Sequence, residues 1–218
     1  MDREQIRSAI QKALEGKGTR KFIQTVDLGI NFRNIDFNKQ ENRLNLDILL
    51  PKGLGKEVKV AVFADGQLAV DAKNGKADLI LSGDEIPKLA ADPSKLKPLL
   101  DYEFLAAPNL MAVVGKHLGQ VLGTKGKLPR PIMGIPVAEL IARSKRSVKL
   151  KSKGKFLPVI HVAVGTEAMS AEDIADNVDA VLEKVRAKVG VQAIKSIYIK
   201  LTMGTPVFVS SEQKSVAS

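Results

Sequence analysis

The hydrophobic pattern of this chain changes its period twice, and that change restricts the available folds more than any other feature. From Phe22 to Phe32, with Gln24 the exception, and from Leu44 to Leu50, apolar residues recur at every second position, as in strands with one face on a core. Phe22, Val26, Leu28, Ile30 and Phe32 share one face of the first strand; Leu44, Leu46, Ile48 and Leu50 share one face of the second. Residues 33–42 between them are polar and loop-like. The Pro/Gly/Lys segment Leu50-Pro-Lys-Gly-Leu-Gly-Lys56 then breaks the pattern. Beyond it, Val58 to Ala64 is an almost continuous apolar run, as in a strand covered on both faces. Helices and strands alternate from there: a helix to about Gly75, a strand at 77–82, a helix near 84–91, a strand at 102–107, and a helix at 109–122 with Asn109 as its N-cap.

From residue 147 the two-residue alternation returns, with Val148 and Leu150 inward and Lys149, Lys151, Lys153 and Lys155 outside or in the turn. A strand from Phe156 to Val164 follows. Ser170-Ala-Glu-Asp173 then opens a helix whose stripe is Ile174, Val178, Val181, Leu182 and Val185. An amphipathic helix over residues 2–15 precedes everything. Neither end of the chain can bury its apolar faces alone. Residues 1–55 and 147–218 are therefore expected to fold together as one α+β domain, split by an inserted three-layer α/β domain at 56–146, with a hinge where the two crossings occur.

The 34 basic residues against 24 acidic ones give a net charge of +10, which favours a polyanionic partner, nucleic acid first. A membrane fits less well, because no basic helix carries aromatic residues along its apolar face. The chain has no cysteine, which removes disulfides, thiolate chemistry and Cys-based zinc sites. His117 and His161 lie too far apart for a metalloprotease pair, and no phosphate-binding fingerprint is present. No apolar leader or membrane-length run is visible, so a soluble intracellular protein is expected.

The stretch Ser196-Ile-Tyr-Ile-Lys-Leu-Thr-Met-Gly204 concentrates the functional signal. Ile197, Ile199 and Leu201 face a core, leaving Ser196, Tyr198, Lys200 and Thr202 outside with no carboxylate among them. Met203-Gly204 then turns the backbone. Such a surface suits a polyanion better than a water-activating site. The glycine-rich run Leu118 to Pro131 offers a second candidate: Gly123-Thr-Lys-Gly126 could present amides to a phosphate, with Lys125, Lys127 and Arg130 adding charge. The alternative there is a helix C-cap followed by a basic loop. Lys149 and Lys151 add a basic strand, and Asp27 reads as a surface hydrogen-bonding residue.

Three segments together, Lys21-Phe-Ile-Gln-Thr-Val-Asp-Leu28, Leu118-Gly with Leu122-Gly-Thr-Lys-Gly-Lys-Leu-Pro129, and Leu201-Thr-Met-Gly204, resemble the ribosomal protein L-one family in order and spacing. Leu50 to Lys56 and His161 with Val164-Gly165 extend the resemblance over essentially the whole chain, and Pro129-Arg-Pro131 looks like the archaeal branch. The resemblance implies a ferredoxin-like α+β terminal domain interrupted by a Rossmann-like α/β/α domain. It implies a cytoplasmic ribosomal protein, a monomer off the ribosome, without cofactor. Its partners would be large-subunit rRNA, deacylated tRNA at the exit site, and its own operon mRNA, which it would repress. The positions that match the family's RNA site are Lys21, Phe22, Thr25, Ser196, Thr202, Met203 and Gly204. Thr205 stands where the family usually has proline. The competing readings are a nucleotide-dependent RNA-modifying enzyme and a non-ribosomal, KH-like mRNA regulator.

Overall fold

The computed structural model describes residues 3–39, 42–152 and 157–209. Lys153, Lys155, Phe156, residues 40–41 and the tail after Val209 lie outside the described residues. The chain begins with α1 (Arg3–Glu15), β1 (Thr25–Phe32), β2 (Asn45–Leu49), β3 (Val60–Phe63), α2 (Gln67–Asn74), β4 (Leu79–Leu81), α3 (Glu85–Ala91) and α4 (Pro93–Leu99). It continues with β5 (Glu103–Ala106), α5 (Pro108–Thr124), β6 (Arg130–Pro131), α6 (Val137–Arg146), β7 (Ser147–Lys151), β8 (Val159–Thr166), α7 (Ala171–Val189), β9 (Ile194–Leu201) and β10 (Val207–Val209). The elements group into two compact units: the two ends of the chain, up to Lys56 and from Arg146 onward, and Glu57–Lys145.

In the unit built by the ends, one antiparallel sheet has the order β10-β9-β1-β8. Although α7 joins β8 to β9, β1 lies between them and pairs with both, a split β-α-β arrangement. Alternation sends Val26, Leu28 and Ile30, then Ile160, Val162 and Val164, then Ile197, Ile199 and Leu201 to one face, where all are buried. On that face lie Ile6, Ala9, Ile10 and Ala13 of α1, spaced three or four apart, and the stripe Ile174 to Val185 of α7. The two-stranded sheet β2-β7 adds Leu44, Ile48, Leu50, Val148 and Leu150 to the same core. Each large aliphatic side chain buried there contributes about 1.5–3 kcal/mol. Helix α7 starts as expected: the Ser170 hydroxyl accepts from the Asp173 N–H at 3.1 Å and donates to the Asp173 carboxylate at 2.7 Å.

Two expectations for this unit change. β1 begins at Thr25, so Phe22 is not on its buried face but stands 52% exposed ahead of the strand. The segment after β1 is not simply a polar loop, because Phe37 is buried and meets Phe32 edge-on at 5.3 Å between ring centroids. The loop can spare that ring because its polar groups are satisfied locally, with Asp36 accepting from both the backbone and side-chain nitrogens of Asn38.

The second unit holds a parallel sheet in the order β4-β3-β5-β6. All four residues of β3 are buried, as its unbroken apolar run requires. Ala61, Phe63, Phe104 and Ala106 pack with Leu110, Val114, Leu118 and Leu122 of α5; Val60, Val62 and Leu105 pack with Ala72 of α2 and Val137 and Ile141 of α6. Helix α4 is absent from the sequence reading, yet its signal is present: Asp92 caps the Ser94 N–H at 3.2 Å and Pro93 occupies the first turn. For α5 the N-cap is Ala107 with Pro108 following, and Asn109 lies inside the helix.

Candidate nucleic-acid interface

At one end of the four-stranded sheet, β9 runs out into Thr202-Met-Gly204, and the adjoining residues Gln24 and Thr25, with Leu201 of the same strand, hold that turn in place. The Thr202 N–H donates to the Thr25 carbonyl at 3.1 Å, while the Thr202 hydroxyl accepts from the Thr25 N–H at 3.1 Å and lies 3.3 Å from the Thr25 carbonyl. The Gly204 N–H closes the turn onto the Leu201 carbonyl at 3.0 Å, and a Cβ on Gly204 would sit 3.1 Å from that of Leu201. The Met203 N–H donates to Gln24 Oε1 at 3.2 Å. Gln24, only 1% exposed, uses its whole amide: Nε2 donates to the Lys17 carbonyl at 2.8 Å and to Glu167 Oε2 at 3.1 Å. One buried side chain thus ties the segment after α1, the end of β8 and the turn together.

The result is a fixed backbone with its side chains outward. Met203 is 58% exposed, and Thr202 and Thr205 are exposed beside it. Lys21 and Phe22, also exposed, precede Gln24 by three and two residues, within about 10 Å of its backbone. The N–H groups of Thr202, Met203 and Gly204 all donate within the protein, which leaves the Gly204 carbonyl as the backbone group that residue can offer a partner. What the turn offers is an apolar thioether and oxygen acceptors such as the second lone pair of Thr202, which suit ribose and its 2′-OH donor.

Ser196 is not part of this cluster. It lies six residues back along β9, about 20 Å away at strand rise, with its hydroxyl accepting from Asn31 Nδ2 at 2.8 Å. Nor is the face free of acid. Asp27 lies in register with Lys200, and Glu167 sits beside Gln24. Burial pushes the Asp27 carboxyl up from its ordinary value, against the pull of Lys200 and His161. The folded chain therefore holds this proton more tightly than the unfolded one. The stabilisation is complete at acid pH and is lost as pH rises through the raised value. Asp27→Asn is expected to raise the unfolding midpoint at pH 7 and to have little effect below about pH 3, where the carboxyl is protonated folded and unfolded alike, as thermal melts at both pH values would show.

The glycine-rich run does not form an anion cradle. Helix α5 continues through Gly123 and Thr124, and its end is closed by Gly126 N–H to Gly123 O at 3.0 Å and Lys127 N–H to Leu122 O at 2.8 Å. Gly126 takes the φ of +67° that this closure needs. A helix C-terminus with its amides already used attracts cations, not phosphate. Lys125 is exposed there, but Lys127 pairs with Glu103 at 2.8 Å, and Arg130 is half-buried at the start of β6. On β7, Lys149 stands in register with Asp47 and Lys151 with Asn45, with only Lys151 of the two fully exposed. These basic positions lie on other elements than the Thr202–Gly204 turn. Sequence reasoning missed Gln24 and Glu167; the available signal was a polar residue, Gln24, at the inward parity of an otherwise apolar strand face.

Among the described residues no helix is long and apolar enough to cross a membrane. The model of the Ribosomal protein L1p/L10e family matches residues 10–205, and the chain belongs to that family of ribosomal, non-enzymatic proteins. Its archaeal relatives include large ribosomal subunit protein uL1 of Methanocella arvoryzae, 43% identical over 95% of this chain and 99% of that one. The corresponding proteins of Methanothermobacter thermautotrophicus, 41% identical over 92% and 96%, and Thermoplasma acidophilum, 39% over 95% and 96%, are similar in the same way.

Proposed function

We propose that this chain is a large-subunit ribosomal protein whose two ends form a ferredoxin-like RNA-binding domain, interrupted by a Rossmann-like insertion. Its main contact is with the stalk region of large-subunit rRNA, made by Thr202, Met203 and Gly204 with Thr25, Lys21 and Phe22. The observation that carries this reading is the fastening of the Met203 turn: buried Gln24 takes the Met203 N–H, and the Thr25 and Leu201 carbonyls take those of Thr202 and Gly204, which leaves Met203 projecting. A prearranged surface loses little entropy on binding, and small residues let an RNA groove approach closely. Release of deacylated tRNA from the exit site and repression of the chain's own operon mRNA extend the same role, the second using the same surface on a second RNA.

Met203→Ala is expected to weaken binding to a stalk rRNA fragment by about 1–3 kcal/mol while leaving the melting temperature unchanged, because the side chain is exposed. A filter-binding titration run beside a thermal melt checks both; unchanged affinity would remove the turn from the interface. Lys21→Ala is expected to weaken cognate and non-cognate RNAs alike and to lower the slope of log K against log salt by about 0.7–0.9.

A further inference from the structure

The outer face of the four-stranded sheet carries a row of rings that the contacts at its end do not use. Phe208 of β10 pairs with Tyr198 of β9, and Gly29 of β1 pairs with both Tyr198 and His161 of β8, so the three rings lie in one line across the strands. Ring centroids are 5.6 Å apart for Phe208 and Tyr198 and 6.0 Å for Tyr198 and His161. The Tyr198 hydroxyl is 3.2 Å from His161 Nδ1. A Cβ built on Gly29 would fall 2.2 Å from Tyr198 Cζ, so the tyrosine ring lies over the glycine backbone and bridges the strand that has no side chain. The core does not need these rings, since α1 and α7 occupy the other face; Phe208 is 57% exposed and His161 is exposed too.

Charge and position favour a nucleic acid here. Lys200 stands in register with Asp27, which offsets part of its charge, and the chain as a whole carries +10. Lys200 and Tyr198 lie two and four residues before Thr202 on β9, so an RNA that extends from the turn along this strand meets the row.

We propose that Phe208, Tyr198 and His161 form a stacking platform for unpaired bases of single-stranded RNA, continuous with the contact at the Thr202–Gly204 turn. It rests on the RNA-binding reading above and adds the class of RNA: a strand with splayed bases next to a structured element. Every base has a π face, so a row of this kind is tolerant of sequence, while Lys200 attracts the phosphates.

The chain has two tyrosines and no tryptophan, so in full-length Tyr102→Phe protein Tyr198 is the sole strong emitter. Titration with short oligouridylate and oligoadenylate is expected to quench that emission. Tyr198→Ala in the otherwise native chain is expected to weaken these oligonucleotides on the order of tenfold, with Tyr198→Phe retaining binding and Phe208→Ala losing several-fold. Bound oligonucleotide with unquenched Tyr198, or unchanged affinity in both alanine variants, overturns the proposal. If a stalk rRNA fragment binds and Met203→Ala weakens it while Tyr198→Ala does not affect either RNA, the platform fails and the turn contact stands. If the stalk fragment does not bind but the oligonucleotides still quench, the platform stands and the rRNA assignment fails. If Phe208→Ala instead breaks a dimer of the free protein, with no response to RNA, the row is a contact between copies and the proposal is wrong.

Discussion

Asn177→Ala is expected to destabilise the unit built by the chain ends by about 3 kcal/mol, the largest loss from any single polar change considered. Asn177 is fully buried in α7, and its side chain serves three backbone groups: Nδ2 donates to the carbonyls of Gly53 at 2.7 Å and Val164 at 2.8 Å, and Oδ1 accepts from the Lys52 N–H at 3.1 Å. It therefore fastens α7 both to β8 and to the segment leaving β2. Alanine leaves those groups without partners, each at a cost of about 1–3 kcal/mol before relaxation and water entry reduce the sum. Asn177→Asp should be no better, because it surrenders both donors and buries a charge. Urea unfolding followed by circular dichroism measures the effect; a loss under about 1 kcal/mol would mean that the network is not stabilising.

Gln24→Ala is expected to weaken stalk rRNA binding on the order of tenfold or more although Gln24 touches no ligand, because the Met203 turn loses its anchor. Gln24→Glu separates anchoring from bulk. It keeps an acceptor for the Met203 N–H but loses both donors and places a carboxylate against Glu167. Its binding should be no better than that of Gln24→Ala, because an acceptor alone does not restore the bonds to Lys17 and Glu167. Equal affinity of wild type and Gln24→Ala for the rRNA fragment would show that the turn needs no such positioning.

Much of this molecule is legible in its sequence where periodicity speaks directly. Ile197, Ile199 and Leu201 point inward as their spacing says, and Val60 to Phe63 is buried on both faces as its unbroken apolar run says. Legibility fails where a packing gain overrides a local preference. Helix α5 runs through Gly115 and Gly119 as its spacing says, but it also takes in Gly123 and Thr124, which read as loop; a helical glycine costs about 1 kcal/mol relative to alanine, and burial of Leu118 and Leu122 along the other side offsets it. Phe37 enters the core from a segment whose composition is that of a loop. The outward residues of β9 were readable as a carboxylate-poor row, although Ser196, Tyr198 and Lys200 are half-buried and only Thr202 is exposed; the grouping was not readable. Strand rise sets Ser196 far from Thr202, while Gln24 and Glu167 join the turn only through contacts made across the fold.

Photocrosslinking of the intact protein to large-subunit rRNA, with mass-spectrometric mapping of the modified peptides, addresses the main claim most directly. The expected crosslinks fall on the peptides carrying Lys21 and Phe22 and those running from Ser196 to Phe208. Crosslinks confined to Glu57–Lys145, with both chain ends unmodified, would contradict the assignment of RNA binding to the domain those ends build.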